Sequence, residues 1–116
     1  MVTKHTKPDA WVETFKRGTR LSYKKGEYII RPGEQPSAVF YIESGLIKAF
    51  DITKYGEENL LIIRKKHEIF PLIWAVTGRE YSVMYQALDN VVVWRVSREQ
   101  FQEHLHAQQI FQFLLY

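Results

Sequence analysis

With 116 residues, 46% of them hydrophobic and 15% aromatic, the chain has the size and composition of one compact domain with a real core. No apolar run approaches the ~18 residues that cross a bilayer, and the N-terminus MVTKHTKPDA lacks an apolar secretory core, which points to a cytoplasmic protein. The count of zero cysteines excludes disulfides, thiolate catalysis and cysteine-held zinc or iron–sulfur sites. The formal charge of +3 is uneven: residues 1–26 carry seven Lys or Arg against two acids, and residues 27–116 carry nine against eleven. Lys4, Lys7, Lys16, Arg17, Arg20, Lys24 and Lys25 are scattered as on a solvated arm and do not mark a DNA-binding face.

In chain order, residues 1–7 read as an arm, and a short helix follows from Pro8. Trp11, Val12 and Phe15 fall at spacings of three and four, and Gly18 stands where a helix stop belongs. The period then changes. Residues 20–24, 27–31, 38–43, 46–52, 59–64, 81–88 and 91–96 are rich in β-branched and aromatic side chains. Turn signals separate them: KKGE, RPGE, ESG, KYGEE, TGRE and LDN. Short strands broken every eight to twelve residues predict a mainly β fold, a double-stranded β-roll (jelly roll) flanked by short N- and C-terminal helices. Val39, Phe40, Tyr41, Ile42, Leu61, Ile63, Val92 and Trp94 are expected to divide between the core and the two faces of the roll.

After Ser97 the pattern is helical again, with Ser97 and Gln100 spaced as a capping box and Phe101 and Leu105 on one face. Residues 110–116, IFQFLLY, are apolar on almost every side and need cover from the roll or from a partner.

The turn residues carry a family resemblance. GEYIIRPGE at residues 26–34 resembles the G-x-x-I-x-x-x-G-E opening of cyclic-nucleotide-binding domains, and FYIESGLIK at 40–48 resembles their Y-I-x-S-G-x-V-K hairpin. Gly56 falls at the next turn, and Ala87-Leu88 with VWRVSREQF at 93–101 resemble the last strand and following helix. Gly26, Gly33, Gly45 and Gly56 supply the left-handed angles such hairpins need. The chain thus resembles the sensory domain of a Crp/Fnr-type transcription regulator over residues 20–116.

That resemblance implies a phosphate-binding cassette at residues 69–84, where the family has F-G-E, a short helix and a P-R-S-A-T-like segment. Phe70 and Ser82 match, but Pro71 stands for the glycine, Leu72 for the glutamate and Tyr81 for the arginine. Pro71 has no N–H to offer a phosphate, Leu72 cannot accept from a ribose hydroxyl, and Tyr81 brings no cation. Two lost charged contacts at roughly 1.5–3 kcal/mol each weaken binding by about two to four decades. Arg79, two residues before Tyr81, is either a substitute cation or a turn residue in water. Ile73, Trp74 and Val83, with Leu72, Val76 and either Tyr81 or Tyr85, leave a greasy pocket that takes a small apolar effector or is filled by its own side chains.

No metal or cofactor is expected. His104 and His106 form an H-x-H, but in a helix residues two apart face differently, and His5 and His67 are isolated. No cysteine, G-x-S-x-G or serine with an evident base offers a nucleophile, so the chain reads as a non-enzyme. The expected organisation is an arm and helix over residues 1–19, a cyclic-nucleotide-binding-like roll over 20–97, and C-terminal helices over 98–116 leading towards a dimerisation helix absent from this sequence. The resemblance implies a homodimer in the full-length regulator, with DNA bound only through a C-terminal domain not in this chain. The alternatives are a regulatory module of a kinase or channel, which shares the roll, and a small cupin-like protein.

Overall fold

The computed structural model describes residues 8–79 and 82–108. In chain order these form α1 (Pro8–Phe15), β1 (Thr19–Tyr23), β2 (Tyr28–Ile30), β3 (Val39–Ser44), β4 (Ile47–Ile52), β5 (Glu58–Arg64), β6 (Ile69–Phe70), α2 (Leu72–Thr77), β7 (Met84–Ala87), β8 (Val91–Val96) and α3 (Arg98–Gln108). The strands pair antiparallel in two four-stranded sheets, ordered β1-β8-β3-β6 and β2-β7-β4-β5, which is the expected β-roll. Residues 110–116, on which the need for cover falls, lie outside the described residues.

Period-two alternation explains why β3 reads as a continuous apolar run. Phe40 and Ile42 point between the sheets, with Ile47, Ala49, Phe70, Val91 and Val93, while Val39 and Tyr41 point outward into a second cluster with Phe15, Ala75, Phe101 and Leu105 from the helices. The first sheet is therefore covered on both faces. Leu61 and Ile63 fall outside the core, 47% and 45% exposed. Their strand, β5, is at the edge of its sheet and among the described residues pairs with β4 alone.

The turn chemistry is as read. Gly26, Gly33, Gly45 and Gly56 all have positive φ. At Gly45 space adds to the demand, since a Cβ there would stand 2.5 Å from the Asn90 carbonyl oxygen. Ser97 and Gln100 cap α3 reciprocally: the Gln100 N–H donates to Ser97 Oγ at 3.0 Å, and the Ser97 N–H donates to Gln100 Oε1 at 3.1 Å.

A register shift between Ile42 and Ser44 leaves Glu43 unpaired in the β3–β8 ladder. Its carboxylate accepts from Arg20 Nε at 3.1 Å, Arg20 Nη2 at 2.9 Å and Trp94 Nε1 at 2.8 Å, lacing β1, β8 and β3. The Arg20 hydrogen bonds, then that of Trp94, hold the Glu43 carboxyl at about 2. Because this lies below the unfolded value of about 4.3, the stabilisation is present above that pH and disappears as the pH falls towards 2. Urea titrations of Glu43→Gln and the parent protein should show a modest deficit for the variant at pH 7 that closes near pH 2. A deficit independent of pH would show that the carboxylate is not the cause.

Candidate effector cavity

A cavity of about 240 Å³ lies between the inner face of the second sheet and α2. Ala49 on β4, Tyr85 on β7, and Leu61, Ile62 and Arg64 on β5 form the sheet side; Pro71, Leu72, Ile73 and Trp74 form the opposite wall, with Pro36 and Val83 at the margins.

The walls are placed by packing rather than by local propensity. Phe70 is fully buried behind the cavity, stacked on Phe40 at 5.1 Å and on Tyr85 at 4.7 Å between ring centroids. Buried Ala75 joins α2 to the outer cluster. Helix α2 is too short to stand alone, and α3 satisfies its last carbonyls. Arg98 Nε donates to the Trp74 carbonyl at 3.0 Å, and Gln102 Nε2 donates to those of Ala75 at 3.1 Å and Val76 at 3.2 Å. The Arg98 guanidinium also lies 5.9 Å from the Trp74 ring centre.

Of the residues singled out in the sequence, Pro71, Leu72, Ile73, Trp74 and Val83 come together around this cavity. Pro71 is the N-cap of α2, with φ −74° and ψ 116° and no side-chain cap. The start of the helix thus lacks one N–H, and the next side chain is an alkyl group. Phe70 supports the cavity without lining it. Ser82 is exposed and lines a neighbouring depression with Asp51, Ile52 and Met84. Arg79 is exposed beyond the left-handed Gly78, its own N–H donating to Thr77 Oγ1 at 3.1 Å, and it does not line the cavity. Tyr81 lies outside the described residues.

Sequence reasoning passed over Ala49, Ile62, Pro36 and above all Arg64, the one charged side chain lining the cavity among the described residues. Burial raises the pKa of the Tyr85 phenol, and the positive charge of Arg64 opposes that shift.

Among the described residues the histidines are dispersed. His104 Nδ1 bonds the Thr14 hydroxyl of α1, and burial lowers its pKa, with the charge of Arg17 adding to the effect. His106 is exposed. His67, read as isolated, has a left-handed φ of 75° and bonds the Tyr41 hydroxyl at 2.7 Å. Among the described residues no helix is long and apolar enough to cross a membrane.

Two antiparallel sheets, a short helix between β6 and β7, and a cavity beneath it define a class of binding domain. Residues 20–108 match the family model for the cyclic nucleotide-binding domain, and the chain belongs to that family. Its relatives are regulators of the Crp/Fnr type: it is 36% identical over 95 residues to the transcriptional activator protein Anr of Pseudomonas aeruginosa, a match covering 82% of this chain and 38% of that protein. The chain therefore spans about two fifths of that activator's length. Its fold is similar to the crystal structure of the sensor domain of the transcriptional regulator DNR from Pseudomonas aeruginosa, with TM-score 0.77 and 22% identity over 97% of this chain and 76% of that one. It is also similar to the Thermus thermophilus catabolite activator protein, with TM-score 0.77 and 19% identity over 94% of this chain and 51% of that one.

Proposed function

We propose that this chain is the effector-sensing domain of a cytoplasmic Crp/Fnr-type transcription regulator, and that it answers to a small apolar molecule rather than to cyclic AMP. The observation that carries this reading is the composition of the cavity wall where the cassette belongs. Pro71 and Leu72 stand where a cyclic phosphate and a ribose would need a donor and an acceptor, and Ile73, Trp74 and Val83 extend the apolar lining. The domain works as a binding module, not an enzyme. In the full regulator it acts within a homodimer, and DNA is bound by a separate C-terminal domain. Anr, a transcriptional activator, favours this over a module of a kinase or channel.

Calorimetric titration with cyclic AMP and cyclic GMP tests the reading. Weakening by about two to four decades puts binding beyond the micromolar range, so no saturable heat is expected there. A dissociation constant in the low micromolar range or tighter for either nucleotide would overturn it.

A further inference from the structure

Strand β5 leaves one edge of the second sheet open among the described residues, and Leu60, Leu61, Ile62 and Ile63 along it are all exposed. The acids Glu57 and Glu58 precede this run, and the cations Arg64, Lys65 and Lys66 follow it. The pairing with β4 fixes which way the side chains point. Ile62 and Arg64 stand opposite the buried Ala49 and Ile47, on the inner face of the sheet. Lys48 stands opposite Ile63, donates to Glu58 Oε1 at 2.8 Å and lies 4.7 Å from the Phe50 ring centre, which puts Glu58, Leu60 and Ile63 on the outer face. A register shift makes Leu61 an extra residue between the two halves of the strand.

We infer that β5 docks antiparallel on β5 of a second copy of this chain, about a two-fold axis through Ile62, joining two four-stranded sheets into one continuous sheet. Such an axis stands normal to the sheet and keeps every residue on its own face, so the residue at the centre must oppose its own counterpart. With Leu60 and Leu61 counted as one position, the pair centred on Ile62 sets Glu58 against Lys65 and Glu57 against Lys66, with Leu60 opposite Ile63 and Asn59 opposite Arg64. Both copies carry the same bulge, so their bends coincide. A centre one position earlier would leave Lys65 and Lys66 facing the uncharged Gly56 and Tyr55. The charge pattern therefore selects one register and one partner, a chain with the same strand. A strand of seven residues buries far less than the ~800 Å² per partner of a standard stable interface, so the association is weak, with a dissociation constant on the order of 0.1–1 mM. It is independent of what fills the cavity.

The test is sedimentation equilibrium of the full chain into the millimolar range. The parent should show a monomer–dimer equilibrium that weakens with added salt, since the opposed charges are exposed. The double variants Glu57→Lys with Glu58→Lys, and Lys65→Glu with Lys66→Glu, should each self-associate at least about tenfold more weakly. An equimolar mixture of the two should recover dimers, because every opposed pair is again of opposite sign. Thermal melts should show both variants folded, since all four side chains are exposed. Ile62→Cys, in a chain that has no cysteine of its own, should give a disulfide-linked dimer under mild oxidation, because directly opposed Cα atoms roughly 4.5–5.5 Å apart suit the bridge. A parent chain that stays monomeric at millimolar concentration, association that survives either charge reversal, a mixture no more associated than its components, or an Ile62→Cys chain that does not cross-link would each overturn the inference. Association that survives charge reversal would assign the contact to another surface, such as the apolar residues 110–116.

Discussion

Phe70→Ala should cost the fold about 3–5 kcal/mol, seen as a lower urea midpoint with little change in slope. Phe70 is fully exposed to packing and not at all to water: it is stacked between Phe40 and Tyr85, 5.1 and 4.7 Å from their ring centres. No neighbouring segment is free to close the void, because Phe40 sits on the doubly covered strand β3 and Tyr85 is held between β2 and β4. For a domain of this size the loss lowers Tm by roughly 12 °C or more. The variant should also disturb the cavity, since Phe70 joins β6 directly to Pro71. A shift worth less than about 1 kcal/mol would mean that the stack is looser than its geometry.

Gly18→Ala should be comparably damaging for a different reason. A Cβ at that position would lie 1.8 Å from the Arg95 carbonyl oxygen and 2.8 Å from Val96 Cγ1, so the backbone between α1 and β1 must move away from β8. That movement pulls on Phe15, fully buried against Tyr41 and Phe101. Overpacking costs about 1–3 kcal/mol in ordinary cases, and contact with a rigid backbone atom puts this one at the upper end or beyond. Gly26→Ala is the matched control: φ is +90° but nothing lies within 4 Å, so only the left-handed strain of about 1–2 kcal/mol is expected. Denaturation of the two variants side by side gives the order, and a Gly26→Ala variant less stable than Gly18→Ala would refute the crowding argument.

Gly18 also shows how far the sequence could be read. Its place after an amphipathic octet marks a helix end, and α1 does stop just before it, but the reason is the nearness of β8, which only the folded chain contains. The hairpin glycines and the Ser97–Gln100 cap were legible because their partners are a few residues away. Arg64 was not. Ala49 pairs with Ile62 and Phe50 with Leu60, which leaves Leu61 as an extra residue in β5. Strict alternation puts Ile62 and Arg64 on the face opposite Leu61 and Ile63, whereas the bulge lets Leu61, Ile62 and Arg64 line one cavity. Strand β6 was missed because two residues carry no period. The apolar character of the cassette was legible because it rests on residue identity at Pro71, Leu72 and Trp74, not on register.

The same bulge bears on whether the edge of the sheet can pair with another chain. One side of β5 pairs with no strand among the described residues, and Leu60, Leu61, Ile62 and Ile63 are 57%, 47%, 44% and 45% exposed. An open ladder edge with four large aliphatic residues in a row is a template for cross-β growth between chains. Leu61 interrupts the ladder, so an incoming strand finds a bent edge rather than a flat one. Glu57 and Glu58 precede the tetrad and Arg64, Lys65 and Lys66 follow it, so parallel in-register stacking would place like charges together at both ends. These residues act as gatekeepers for a segment that the roll itself leaves uncovered, and their neutralisation would convert the edge from a tolerated surface into a nucleus for aggregation.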